Sequence, residues 1–173
     1  MKVAIIVPDE YTGDVIGDVS SMEYAAKVAK KVSGIDMKIR PIKVISEANY
    51  EYGVIDVYDM GIVKPEDIPG DPENPMPFRL GATALGGEAA FRYVVKVIDL
   101  AMKGEVDATV TNALSKEAIN MAGHHYSGHT EIYAEYTGTS KYTMMLAHED
   151  LRVVHVSTHV SLREACDRVK KDR

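Results

Sequence analysis

Short apolar runs rich in branched side chains alternate with stretches of helical period, and that alternation limits the fold more than any single motif. The runs fall at residues 3–7, 38–45, 54–58, 106–111, 142–147 and 152–157. Several are apolar at consecutive positions, which suits strands covered on both faces. Between them the apolar residues recur at helical spacing. Ser20 with Glu23 forms a capping-box pattern ahead of Met22, Ala25, Val28, Ala29 and Val32, and Gly34 is a natural stop. A second helix is expected over 88–103, with a stripe of Ala90, Tyr93, Val94, Val97, Ile98, Ala101 and Met102. Shorter helices are expected near 116–122 and 130–136. A last one begins at Ser161, where Glu164 completes another capping box. The pattern predicts an α/β fold with three layers and a mostly parallel sheet.

One segment breaks the alternation. Residues 64–77 carry five prolines in fourteen residues, too many for a helix or an interior strand. The expected organisation is a single partial α/β unit over 1–173. It comprises an N-terminal segment 1–63, a Pro/Gly-rich loop 64–87 and a motif-bearing segment 88–173. The chain has 173 residues, enough for one domain and short for two. Its net charge of −6 argues against a general nucleic-acid binder, whose affinity comes from dense positive charge. No apolar window reaches the roughly 18 residues that a membrane span needs. A single cysteine, Cys166, excludes an internal disulfide and any multi-cysteine zinc site, and within a helix it is expected to be inert. A cytoplasmic location is expected. All 6 histidines lie between His124 and His159.

Three places could carry chemistry. The strand at 106–111 empties into Thr111-Asn112, followed by Ser115-Lys116, and ligands of open α/β sheets bind beyond the carboxyl ends of strands. Lys116 could hold an anion there, or Asn112 and Ser115 could simply cap the next helix. In Ser127-Gly128-His129-Thr130-Glu131 a glycine turn opens a helix whose N-terminal N–H groups suit a phosphate or carboxylate. His129 could donate to that anion or exchange a proton near neutral pH. Otherwise Thr130 is a helix cap beside a surface histidine. In Ser157-Thr158-His159-Val160-Ser161, His159 lies in another strand-to-helix turn. One imidazole does not make a zinc site. His155 is expected in a strand, and His148 in a solvated turn. His124 and His125 are too close in sequence to chelate one metal together. Met144 and Met145 are expected in the core, and 81–87 as a turn leading into a helix.

Taken together, these motifs resemble one family. Val110-Thr111-Asn112-Ala113-Leu114-Ser115-Lys116-Glu117-Ala118, Ala122-Gly123-His124, Gly128-His129-Thr130-Glu131, Met144-Met145-Leu146-Ala147 and Thr158-His159-x-x-Leu162-Arg163 stand in the order and spacing of the 4-hydroxythreonine-4-phosphate dehydrogenases. The resemblance covers 81–173 closely and 36–70 loosely. It implies a fold similar to isocitrate and isopropylmalate dehydrogenases. It also implies oxidation, with decarboxylation, of a phosphorylated hydroxy acid by NAD or NADP. A divalent metal such as Zn, Mg or Co is implied, together with a homodimer whose site lies at the subunit interface. Substrates of this family include 4-phosphohydroxythreonine and threonate or erythronate 4-phosphate, and the wording at 155–160 is closer to the threonate branch. Carried onto this sequence, the motifs put the substrate-binding pair at His129 and Thr130, with Lys116 as a further candidate, and one metal ligand at His159.

Two departures accompany the resemblance. The family's glycine-rich N-terminal loop is replaced by Pro8-Asp9-Glu10-Tyr11-Thr12-Gly13-Asp14. Family chains are also about twice this length, and their other half carries two more metal-binding histidines. The expectation is therefore an apparently incomplete unit, inactive without the missing half, which comes as a separate chain or in the complete gene product. Two other classes stay open at this point. One is a non-catalytic phosphate-ester-binding or interaction protein. The other is a small metal hydrolase, which the histidine spacing does not favour.

Overall fold

A computed structural model of the chain describes residues 13–71, 81–158 and 160–171, and the backbone of residues 3–4. The fold is α/β. Its elements are β1 (Val3–Ala4), β2 (Val15–Gly17), α1 (Val19–Ser33), β3 (Lys38–Ile42), β4 (Val54–Asp59), α2 (Ala84–Met102), β5 (Ala108–Thr109), α3 (Lys116–Met121), α4 (His129–Tyr136), β6 (Met145–His148), β7 (Leu151–Val154) and α5 (Leu162–Arg168). They divide into two compact units, Met1–Thr137 and Gly138–Arg173.

In the first unit all strand pairing is parallel, as the alternation predicts. β4 lies between β2 and β3, with Val15 opposite Val57 and Lys38 opposite Val54. β1 pairs with β5, Val3 opposite Ala108. α1 packs on β3 and β4, while α2 packs on β2, β5, α3 and α4. The core forms two clusters along α2. Phe91, Val94 and Ile98 meet Ile119 of α3 and Ile132 of α4, and Leu100 meets Ile45 and Val106.

α2 differs from the expected 88–103. It starts at Ala84 because the Thr83 hydroxyl accepts the Gly86 N–H at 3.1 Å and caps the helix one turn early. Residues 84–87 are thus the first turn of the helix rather than a turn before it. A Cβ on Gly87 would stand 1.9 Å from the Ala118 carbonyl oxygen, so only glycine permits this approach of α2 to α3. Its buried arc also takes in Ala89, Phe91 and Leu100, while Met102, expected in the stripe, is exposed.

Polar groups tie the strand ends of this unit together. Asp18, the residue before α1, is 1% exposed. Its carboxylate accepts the backbone N–H groups of Ile62 and Val63 and the hydroxyl of Tyr93. Burial, with Asp18 close by, pushes the Tyr93 hydroxyl far above its ordinary pKa. Asp56, 2% exposed on β4, takes a two-point bond from the Arg40 guanidinium and the backbone N–H groups of Asn49 and Tyr50. Burial pushes its carboxyl pKa up, but Arg40 and the two N–H groups outweigh this and hold it below the usual carboxylate value.

The second unit contains the antiparallel pair β6–β7, with Met145 opposite Val154, and helix α5. The antiparallel pairing follows from a tight turn at Glu149-Asp150, where Glu149 adopts φ +46°. Met144 and Met145, expected in the core, are 43% and 54% exposed. Among the described residues β6, which Met145 opens just after Met144, pairs only with β7, and no buried face forms beneath it. His155 follows β7 rather than lying within it. Its backbone N–H donates to the Met144 carbonyl, and its Nδ1 is buried with no hydrogen-bond partner among the described residues. Ser161 caps α5 through the Glu164 N–H, as its capping pattern predicts, and Cys166 on that helix is exposed. Among the described residues no helix is long and apolar enough to cross a membrane.

Candidate functional site

The site grows from the end of β5. Beyond Thr109 the chain leaves the sheet and runs through Val110, Thr111, Asn112, Ala113 and Leu114 before α3. Ser115 ends the run. Its hydroxyl accepts the Ala118 N–H at 3.2 Å, so Ser115 is the helix cap and Asn112 is left outside the helix. The segment 110–114 lines a cleft of about 160 Å³. Ala90, Tyr93, Val94 and Val97 of α2 form another wall, Asp14, Val15 and Ile16 at the start of β2 a third, and His129 the rest.

His129 is the first residue of α4. Gly128 stands at the cap in extended backbone, and no side chain caps the helix. The opening N–H groups of α4 are therefore not taken up by a capping hydroxyl, unlike those of α2, α3 and α5. Thr130 is one residue inside the helix and is exposed, so it does not act as the cap. Burial lowers the pKa of the His129 imidazole, which favours its neutral form near pH 7. A neutral ring can donate from one nitrogen and accept at the other.

Asp14 brings a carboxylate to the cleft. It is 4% exposed, and its Oδ2 accepts the Tyr50 hydroxyl at 3.2 Å. Tyr50 reaches it from a left-handed backbone conformation, φ +51°, stabilised by the bond from its own N–H to Asp56. Behind the β5 wall the Thr109 and Tyr133 hydroxyls lie 2.8 Å apart. Nothing local in the sequence marks Asp14 or Tyr93 as cleft residues, because helix α2 and a loop 36 residues away bring them there.

Of the residues singled out from sequence, His129, Thr111 and Asn112 line the cleft together. Lys116 and Thr130 are exposed and do not line it. His159 lies outside the described residues. Among the described residues no three His, Cys, Asp or Glu side chains come together to hold a metal, so the chain presents no complete metal site there. His124, set aside in sequence because His125 adjoins it, makes a tertiary contact instead. Its Nε2 lies 2.7 Å from Glu88 Oε2, and its ring stacks on Phe91.

The family described as pyridoxal phosphate biosynthetic protein PdxA matches residues 11–173. The D-threonate 4-phosphate dehydrogenase of Cupriavidus necator is 39% identical over 156 residues, covering 90% of this chain and 43% of that protein. The protein of the same name from Salmonella typhimurium is 36% identical over 138 residues, covering 80% of this chain and 39% of its own length. Among solved structures, the 4-hydroxythreonine-4-phosphate dehydrogenase of Burkholderia phymatum superposes with a TM-score of 0.76 at 37% identity, over 92% of this chain and 44% of that one. The chain thus spans less than half the length of the relatives it matches.

Proposed function

This chain belongs to the PdxA family of pyridoxal phosphate biosynthetic proteins, and on that premise we propose that it carries the substrate-binding part of a phosphorylated hydroxy-acid dehydrogenase. The reaction is the oxidation of 4-phosphohydroxythreonine or of a threonate or erythronate 4-phosphate by NAD or NADP, with decarboxylation. The threonate compound is the first choice, since the relative from Cupriavidus necator is named for it. A divalent metal polarises the reacting oxygen when bound, and His159 is the ligand this chain offers. The described residues do not complete such a site. The active unit is a homodimer in which the part of the relatives' length beyond this chain completes the site.

One observation carries the proposal. His129 opens a helix whose first N–H groups lack a side-chain cap, and its ring lines the same cleft as the strand-end loop Thr111-Asn112. The N–H groups and the positive end of α4 favour an anionic group of the substrate. Thr130, one residue on, offers its hydroxyl to the same anion from the helix surface. The neutral His129 ring offers a directed N–H or an acceptor, and the apolar walls Val94 and Val97 limit water beside it.

Calorimetric titration of the chain with D-threonate 4-phosphate tests this directly. Binding is expected, and His129→Ala should weaken it at least about tenfold, the loss of one charge-assisted hydrogen bond. NAD(P)H formation is then followed with a C-terminal half supplied in trans and a divalent metal present. Absence of phosphate-ester binding, or binding indifferent to His129, would refute the reading.

A further inference from the structure

The connection 122–128 that delivers His129 turns at Gly123, φ +89°, where glycine is favoured, and ends at Gly128 in extended backbone. Backbone bonds at its start and side chains along it hold it. The His124 N–H donates to the Ile119 carbonyl at 2.9 Å. The His124 ring lies nearly parallel to Phe91, centroids 3.7 Å apart and planes 14° apart. Tyr126 stacks on the same ring at 5.6 Å. Phe91 is 6% exposed and belongs to the cluster that holds Ile119 and Ile132, one residue from each of the helices that flank the connection. One turn earlier on α2, Glu88 Oε2 reaches His124 Nε2 at 2.7 Å. Glu88 adjoins Gly87, where α2 and α3 touch backbone to Cβ position. The carboxylate therefore stands one residue from the close approach of α2 to α3, and the imidazole it binds stands on the loop.

From this geometry we propose that Glu88 and His124 are positioning residues for His129: the Glu88–His124 bond and the His124–Phe91 stack set the path of 122–128 and so aim the His129 ring into the cleft. The proposal rests on His129 being the substrate-binding residue. Neither Glu88 nor His124 lines the cleft, so both act through the loop. Stacking fixes the plane of the His124 ring, and the carboxylate fixes its rotation within that plane. Loss of either leaves the loop with one constraint fewer between two glycines.

The test follows the His129 ring proton signals by NMR across pH, in the whole chain, for Glu88→Ala, Glu88→Gln and His124→Phe, together with calorimetry using D-threonate 4-phosphate. In Glu88→Ala the His129 titration should rise towards the ordinary 6.5 as its burial is relaxed, and affinity should fall about tenfold. Glu88→Gln keeps an acceptor for Nε2–H and should restore most of both. His124→Phe keeps the stack without the bond and should resemble Glu88→Ala, and it serves if the alanine variant does not fold. Unchanged His129 titration and unchanged affinity in folded Glu88→Ala and His124→Phe would overturn the proposal, whatever happens to the melting temperature. A shifted His129 titration in a chain that binds no phosphate ester upholds the positioning and refutes the substrate reading instead.

Discussion

Gly86 and Gly87 are adjacent on α2, yet alanine should destabilise only at Gly87. A Cβ at Gly87 would stand 1.9 Å from the Ala118 carbonyl oxygen and 2.3 Å from its carbon, both backbone atoms that no rotamer change can move. Reaching ordinary contact at 3.4 Å requires α2 and α3 to separate by about 1.5 Å. Overpacking of this kind costs roughly 3 kcal/mol, and the better helix propensity of alanine returns about 1. The net loss is about 2 kcal/mol, or about 6 °C in melting temperature for a chain of this size. At Gly86 the new Cβ meets only the Thr83 side-chain oxygen, at 3.0 Å. A small rotation relieves that contact, so Gly86→Ala should lie within about 0.5 kcal/mol of the parent. Urea unfolding followed by circular dichroism measures both variants. A Gly87→Ala chain as stable as the parent, with Gly86→Ala indistinguishable from it, would refute the close approach of α2 and α3 at this point.

Two further predictions concern ionisation. Asp56 has a folded pKa below its ordinary 3.8, so it contributes stability above that value and loses it as pH falls through the folded one. Asp56→Asn should abolish that acid dependence, and Asp56→Ala, which strands Arg40 and two N–H groups, should cost about 2–3 kcal/mol in urea unfolding at neutral pH. His129 is shifted down from 6.5 by burial, so the unfolded chain takes up its proton first as pH falls. Stability should therefore decline below about pH 6.5, and melting curves of His129→Gln against pH should be flatter there.

Elements whose signals are local were legible in the sequence. β3 and β4 lie within the two expected runs to within a few residues, and Ser115 and Ser161 cap the helices they precede. Where a side chain serves a distant partner, the local reading slipped. Ser20-x-x-Glu23 predicts a helix start at Ser20, yet α1 begins at Val19 and the Ser20 hydroxyl donates to the Val63 carbonyl at 2.5 Å. The 106–111 run shortens to Ala108–Thr109 because Val106 turns into the core with Ile45 and Leu100, while Val110 and Thr111 line the cleft. His129 was marked by the glycine turn before it. His124 was not, since its partners Glu88 and Phe91 lie on another helix and leave no periodicity beside it.

The β1–β5 pair also bears on how the chain folds. Val3 and Ala4 meet Ala108 and Thr109 across more than a hundred residues, and closing a loop of that length costs about 4 kcal/mol of chain entropy. A ladder of two residues returns little against that cost. The pair therefore forms only after α2 has carried β5 into place, so β1 finds its partner late. Synthesis beyond residue 109 is a precondition for it. Until then β1 is an unpaired edge, open to capture by another chain or by a chaperone.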